Sequence, residues 1–83
     1  MMVNVRLFAI LRDRAGVDSV RLELAQGATI ESAIAALNQR FPALNDYLRR
    51  AAFAINRDYA PPTASLHEGD ELAVIPPVSG GTS

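Results

Sequence analysis

The sequence contains no cysteine, which excludes disulfides, thiolate catalysis and zinc–thiolate sites. Lysine is also absent, because all eight basic side chains are arginine, so no side chain can accept an isopeptide bond. The net charge is only -1, whereas a nucleic-acid-binding domain normally carries a strong basic excess. We therefore expect no nucleic-acid partner.

Long hydrophobic runs are missing as well. Apolar stretches such as residues 7–11 are far shorter than the roughly 20 residues that a membrane-spanning helix needs. The N-terminus shows no basic region followed by a long apolar stretch, which is the pattern of a secretory signal. These features predict a cytoplasmic protein with no membrane partner.

The residues that are present suit one small domain. A chain of 83 residues, of which 49% are hydrophobic, is long enough for one core and too short for two. Alternation of hydrophobic and polar residues predicts half-buried strands at residues 3–7 and 20–24, joined by a polar connection at residues 12–16. An antiparallel arrangement of these strands would bring Arg6 and Glu23 together on the solvent face.

A single amphipathic helix is predicted after the second strand. Thr29 suits the N-cap position, and Pro42 ends the helical pattern. One apolar stripe runs along the helix and is formed by Ile30, Ile34, Leu37 and Phe41. A short second helical turn follows and ends near Arg49 and Arg50.

The C-terminal half predicts three further strands. Phe53 and Ile55 begin the third, residues 56–58 form a turn, and Tyr59 belongs to a short fourth strand. The continuous apolar run at residues 72–75 suits a central strand covered on both faces. This order of elements predicts an α+β fold, a ubiquitin-like β-grasp with a mixed sheet of four to five strands covered by one main helix.

The usual catalytic constellations are missing. His67 lies in a predicted turn without metal-ligating partners, so we interpret it as a solvated surface residue. Turn formation explains the neighbouring acidic residues Glu68, Asp70 and Glu71 better than acid–base catalysis does. We therefore predict neither a metal site nor a bound cofactor.

The C-terminal segment is the most unusual part of the sequence. We place the domain at residues 1–77 and a flexible tail at residues 78–83, with Pro76 and Pro77 stiffening the exit. From Pro77 the extended chain reaches roughly 15–18 Å by the second glycine. Gly80 and Gly81 would let the backbone pass through a slot too narrow for any Cβ. The alternative interpretation is a frayed terminus without a function.

Three segments resemble a known family. Residues 7–13 (LFAILRD), 54–59 (AINRDY) and especially 66–81 (LHEGDELAVIPPVSGG) resemble sulfur carriers of the MoaD/ThiS group. Within that group, the chain is most similar to the small subunits of molybdopterin synthase. The resemblance covers almost the whole chain and is least distinctive over residues 29–50.

This resemblance implies a reaction in which the chain supplies no catalytic side chain. An E1-like partner that uses ATP and magnesium would adenylate the carboxylate of Gly81, and sulfur would then replace AMP to leave a glycyl thiocarboxylate. Gly80 would provide clearance for the tail. The loaded tail would enter the large subunit of molybdopterin synthase and deliver sulfur for molybdenum cofactor biosynthesis. The chain would act as a non-catalytic small subunit of a sulfurtransferase complex.

The resemblance also implies a partner-binding surface near the tail. Its expected members are Phe8, Arg12, Tyr59, Ile75, Pro76, Pro77 and Val78. Core packing is the alternative for Phe8 and Ile75, although Leu7 already takes the inward direction of the first strand. A solvated position is the alternative for Arg12.

One departure from the family pattern concerns the last two residues. The family usually ends at the second glycine, whereas Thr82 and Ser83 follow Gly81 here. Loading with sulfur needs a free carboxylate on Gly81. Three explanations for the two extra residues therefore stay open: a protease removes them, they are an artificial extension, or this copy is inactive. Two other functions stay open as well: a sulfur carrier for thiamine or cysteine synthesis, and a β-grasp interaction module that transfers nothing.

Overall fold

The computed structural model describes residues 1–77 and contains one five-stranded sheet with its helices. The elements follow the chain as β1 (Met2–Leu7), α1 (Ala9–Ala15), β2 (Ser19–Glu23), α2 (Ile30–Arg40), a 3-10 turn (Pro42–Leu44), α3 (Asn45–Leu48), β3 (Ala52–Ile55), β4 (Asp58–Tyr59) and β5 (Glu71–Ile75). The strand order is β2-β1-β5-β3-β4, in which β1 and β5 are parallel and the other pairs are antiparallel. The predicted α+β fold with a mixed sheet is therefore confirmed.

The core lies between one face of the sheet and the helices. Val5, Leu72 and Val74 from the two central strands are fully buried, as are Ile30 and Leu37 from α2. Full burial of a side chain of this size stabilises the fold by about 1.5–3 kcal/mol. These residues belong to a single hydrophobic cluster, so strands distant in the sequence share one core.

The main helix begins and ends close to the predicted positions. Thr29 Oγ1 accepts a hydrogen bond from the Ser32 backbone N–H at 3.4 Å, which confirms Thr29 as the N-cap. The helix ends at Arg40, and Pro42 begins the 3-10 turn. Phe41, predicted as the last member of the apolar stripe, is the half-buried C-cap residue.

The connection between β1 and β2 is helical, which corrects the interpretation of residues 12–16 as a polar connection. Helix α1 spans Ala9–Ala15 and ends at Gly16, whose φ of 80° is the left-handed conformation typical of a C-cap. Leu11 is its one buried residue. A seven-residue helix with one fully buried residue has too little periodicity for a sequence pattern to reveal.

The expected contact between Arg6 and Glu23 is wrong, although β1 and β2 are antiparallel as predicted. The register places Arg6 opposite Ser19 and Glu23 opposite Met2. The ion pair of Arg6 is instead formed with Glu71 on β5, at 3.0 Å between Nη1 and Oε2. Helix α1 takes up most of the connection, and its length sets a register that alternation within each strand could not reveal.

Strand β5 is central but covered on one face only, which corrects the expected burial on both faces. Leu72 and Val74 are fully buried, whereas Glu71, Ala73 and Ile75 stay partly exposed. The apolar run is therefore not explained by core packing alone. Hydrophobic residues on the uncovered face of a central strand indicate a contact surface.

The β3–β4 hairpin is joined to β5 by side-chain hydrogen bonds. Asn56 and Arg57 form its turn with φ values of 49° and 75°. Asn56 Nδ2 donates to Asp70 Oδ1 at 3.0 Å, and the Glu71 backbone N–H donates to Asn56 Oδ1 at 3.0 Å. These bonds fix the start of β5 against the hairpin.

None of the helices in residues 1–77 has the length and hydrophobicity that membrane crossing requires.

Candidate functional site

The sheet has an open face on the side opposite α2. Directly opposite residues in neighbouring strands project to the same face, so the register identifies its members. One row crosses the sheet from β4 to β2 through Tyr59, Ala54, Ala73, Arg6 and Ser19. A second row pairs Ala52 with Ile75. We use the name open face for these residues together with Phe8 and Glu71.

Three alanines, Ala52, Ala54 and Ala73, form the centre of the open face, and we call them the alanine floor. Ala54 lies opposite Ala73, and Ala52 lies opposite Ile75 next to them. Ala52 is exposed and Ala73 partly exposed, whereas Ala54 is only 6% exposed. The floor is therefore an apolar surface of low relief whose accessible area comes mainly from Ala52 and Ala73. Sequence reasoning missed this floor, although each alanine alternates with larger core residues in β3 and β5, and that alternation was the available signal.

Phe8 and Ile75 lie level with each other at the end of the open face where the chain leaves β5. Phe8 follows the last paired residue of β1, Leu7, which lies opposite Val74, so Phe8 is level with Ile75. Phe8 is 38% exposed and Leu7 only 2%, as strand alternation predicted. This exposure argues against a core role for Phe8.

Tyr59 does not lie beside Phe8 and Ile75. Its side chain is 80% exposed and stands on β4, the outer strand of the sheet. Three strand spacings separate β4 from β1, which at about 4.8 Å each amounts to roughly 14 Å. The structure therefore places Phe8 and Tyr59 on opposite sides of the alanine floor.

Arg12 lies at the border of the open face rather than within it. Its side chain is 55% exposed and its Nε lies 3.8 Å from Asp13 Oδ1. It lines a shallow depression with residues of the α1–β2 connection and with Ser19, which stands opposite Arg6. Both a partner contact and a solvated position are compatible with this geometry.

The proline exit follows β5 at the same end of the sheet as Phe8. Pro76 is partly exposed and Pro77 is exposed. The other predicted members of the site, Val78, Gly80 and Gly81, lie outside the described residues.

A charged pair stands beside the apolar residues of the open face. Arg6 Nη1 lies 3.0 Å from Glu71 Oε2, and the side chains are 48% and 37% exposed. The Arg6 Cζ atom lies 5.6 Å from the centroid of the Phe8 ring, within the range of a cation–π contact. Sequence reasoning missed this ion pair because it paired Arg6 with Glu23 on β2 instead of Glu71 on β5.

The acidic turn before β5 has a structural role. The side chain of His67 is 78% exposed, and its Nδ1 lies 3.7 Å from Asp70 Oδ2. Asp70 Oδ2 accepts a hydrogen bond from the His67 backbone N–H at 2.8 Å. Within the described part of the chain, no group of histidine and carboxylate side chains is arranged to hold a metal ion. The open face presents apolar residues next to the chain exit, and the described side chains form no acid–base or nucleophilic constellation there.

Solved structures define the class of the fold. Small archaeal modifier protein 1 (SAMP1) from Haloferax volcanii superposes with a TM-score of 0.89 at 32% identity, covering 98% of this chain and 100% of that chain. The predicted ubiquitin-like β-grasp is thereby confirmed.

Residues 5–81 match the ThiS family. The molybdopterin synthase sulfur carrier subunit of Chlamydomonas reinhardtii is 40% identical, over 98% of this chain and 100% of that protein. This chain therefore belongs to the ThiS/MoaD family of sulfur carriers.

Two further similar chains were solved together with another protein. One is in the complex of subunits 1 and 2 of molybdopterin-converting factor from Helicobacter pylori, with a TM-score of 0.68, 26% identity and coverage of 98% of this chain and 100% of that chain. The other is in the BexX/CysO complex from Amycolatopsis orientalis, with a TM-score of 0.74, 27% identity and coverage of 95% and 99%. Proteins of this fold thus form complexes with a partner subunit.

Proposed function

We propose that this chain is the sulfur carrier subunit of molybdopterin synthase and delivers sulfur, as a thiocarboxylate on Gly81, to the large subunit. The observation that carries this proposal is the 40% identity to a protein of that name over the full length of both chains. The family match runs through residue 81 and so includes both tail glycines. The product would enter molybdenum cofactor biosynthesis.

The chemistry of loading takes place on the tail and in the partners. The Gly81 carboxylate attacks the α-phosphate of ATP in an E1-like enzyme, which releases pyrophosphate and leaves an acyl adenylate. A sulfur nucleophile at the oxidation level of sulfide then attacks the acyl carbon and AMP departs, which leaves the thiocarboxylate. Adenylation has thereby replaced a poor leaving group by a good one. ATP and magnesium belong to the activating enzyme, and this chain supplies the acyl group only.

The open face would dock the large subunit. The alanine floor permits close approach, and Phe8 with Ile75 offers an aromatic and aliphatic anchor at the end from which the tail leaves. Aromatic anchors are enriched among the residues that contribute most to binding. Docking there would aim the tail into the active site of the partner. Arg12, Tyr59, Pro76, Pro77 and Val78 would contribute at the edge of this contact.

Thr82 and Ser83 must be removed before loading can occur. The acyl adenylate forms on a free carboxylate, and in the sequence as given the carboxyl group of Gly81 is in a peptide bond with Thr82. We propose that a protease cleaves this bond. Gly80 and Gly81 favour such cleavage because they carry no side chains that obstruct access.

Intact-mass spectrometry tests the proposal directly. The full chain is incubated with an extract of its native cell, then with the activating enzyme, ATP, magnesium and a sulfur donor. The expected products are a chain without Thr82 and Ser83, followed by a chain in which one oxygen has been replaced by sulfur. An unchanged mass, in an assay where an established carrier is loaded, would contradict the proposal.

The similarity to a chain of the BexX/CysO complex favours a second candidate, a carrier for another sulfur pathway such as thiamine or cysteine synthesis. Genetic rescue separates the two candidates. The gene should restore molybdenum cofactor formation in a strain that lacks the small synthase subunit. Rescue of thiamine or cysteine auxotrophy alone would favour the second candidate. If the chain is loaded with sulfur but rescues neither defect, the large subunit of molybdopterin synthase is not its partner.

A further inference from the structure

Arg6 makes two different contacts on the open face. Its guanidinium pairs with the carboxylate of Glu71 at 3.0 Å, and its Cζ atom lies 5.6 Å from the ring centroid of Phe8. Arg6 and Phe8 belong to the same chain segment, whereas Glu71 stands on the neighbouring strand β5. The guanidinium therefore links the central strand to the aromatic residue that we propose as an anchor.

These contacts contribute little to the stability of the free chain. The Arg6 and Glu71 side chains are 48% and 37% exposed, and exposed ion pairs are weakened by water and by salt. The backbone N–H of Glu71 is held by Asn56 Oδ1, independently of the carboxylate. The strand start therefore does not depend on the ion pair.

The situation changes when another protein covers the open face. Arg6 stands directly opposite Ala73 of the alanine floor, and Glu71 precedes Ala73 by two residues on the same strand. A protein that covers both the floor and Phe8 must remove water from the charged pair. Burial of an unpaired charge costs a large desolvation free energy, whereas the attraction within an ion pair compensates most of that cost.

We propose that Arg6 and Glu71 are positioning residues of the partner-binding face. The pair neutralises its own charge beneath the partner, and Arg6 holds the Phe8 ring in its binding orientation. The partner surface that faces the pair is then apolar or neutral and carries no counter-charge. This inference rests on the proposed function, because it takes the large subunit of molybdopterin synthase as the protein that covers the open face.

The first test measures the affinity of the full chain for the large subunit encoded in the same genome. Arg6→Gln and Glu71→Gln should each weaken binding about tenfold, because each leaves one buried charge unpaired. The double variant Arg6→Gln/Glu71→Gln should bind better than either single variant, because no charge is then left unpaired. It should stay weaker than the parent, because the guanidinium that holds Phe8 is gone. Arg50→Gln and Glu31→Gln make the same charge changes at exposed positions in or next to the helices, away from the open face, and should each alter affinity less than about twofold.

The second test needs no partner and uses NMR on the free chain. Side-chain couplings of Phe8 should report one dominant χ1 rotamer in the parent and averaging between rotamers in Arg6→Gln. Glu23→Gln should leave the Phe8 couplings unchanged. A ring that keeps one rotamer in Arg6→Gln would show that Arg6 does not position Phe8.

The two tests separate this inference from the proposed function. If the loss of affinity in the double variant equals the product of the losses in the two single variants, Arg6 and Glu71 do not act as a pair. Binding that is insensitive to Arg6 and Glu71 overturns the role of the pair as well. A parent chain that does not bind the large subunit at all contradicts the proposed function, and the NMR measurement then decides alone whether Arg6 holds Phe8.

Discussion

The two faces of the sheet are built from the same strands but differ in what they contribute. The covered face carries large aliphatic side chains, such as Leu72 and Val74, that are fully buried against the helices. The open face carries the alanine floor, an exposed aromatic residue and an ion pair. Because neighbouring residues of one strand point to opposite faces, a single-residue step changes the expected effect of a substitution from folding to recognition.

The tail differs from both faces, and its substitution should have the largest effect. Gly81→Ala should reduce sulfur delivery by more than about a hundredfold, because a Cβ near the reacting carbonyl blocks a narrow site. Sulfur transfer to the large subunit in a reconstituted synthase measures this effect. The urea midpoint should equal that of the parent. Delivery at the parental rate would show that no narrow slot exists.

Leu72→Ala should show the importance of the covered face for folding. Leu72 is fully buried in the central strand, and truncation of such a leucine costs about 2–5 kcal/mol of unfolding free energy. Urea unfolding followed by circular dichroism provides the measurement. A loss below about 1 kcal/mol would mean that the two faces do not differ in their contribution to the core.

Ala73→Leu changes the next residue along β5 and should have the opposite effects. A larger side chain on the alanine floor should weaken binding to the large subunit about tenfold, because it prevents close approach of the two surfaces. The free energy of unfolding should change by less than about 1 kcal/mol, since Ala73 is partly exposed. Calorimetric titration and urea unfolding of the same protein sample test both statements. Parental affinity would place the partner elsewhere on the chain.

Phe8→Ala should weaken partner binding more than it lowers thermal stability. The ring is 38% exposed, so its removal leaves only a small cavity, whereas an aromatic anchor in an interface typically contributes about 2 kcal/mol or more to binding. The affinity and the melting temperature should be compared with those of Leu7→Ala, which removes a side chain pointing into the core. If Phe8→Ala destabilises the chain as much as Leu7→Ala does, Phe8 belongs to the core.

Arg57→Gly should have the smallest effect and should involve neither face. Arg57 adopts a φ of 75° in the β3–β4 turn, and glycine accepts this conformation without the penalty that a Cβ carries. We expect a gain of about 0.5 kcal/mol in unfolding free energy, because the greater freedom of glycine in the unfolded chain offsets part of the relief. Arg57→Ala, which removes the charge but keeps the penalty, should show no gain and serves as the control.

Much of this fold could be predicted from local patterns. Alternation identified β1 and β2, the apolar stripe and the Thr29 N-cap identified α2, and the turn residues separated β3, β4 and β5. The patterns succeeded because each reflects the period of one element and the chemistry of its ends. Helix α1 was not evident from periodicity, because Leu11 is its one fully buried residue.

The candidate site was only partly predictable. The family resemblance predicted Phe8 and Ile75 as members of a partner-binding surface, and the structure places them level with each other at the end of β5; their role in binding stays a prediction. The alanine floor was missed because small residues give a weak signal until the strands that carry them are paired. The Arg6–Glu71 pair was missed because its members are separated by most of the chain and adjacent strands offered a nearer but wrong partner.

The sequence by itself determined which residues of β1 and β2 point inward, because the direction of a side chain follows from the alternation along a single strand. It also determined the two glycines of the tail, whose proposed use depends on the absence of a side chain. Only the tertiary structure decided which strands are neighbours and in what register. The physical reason is that pairing between β1 and β5 is set by the packing of one shared core and by the connections between strands, and neither can be inferred from a local pattern.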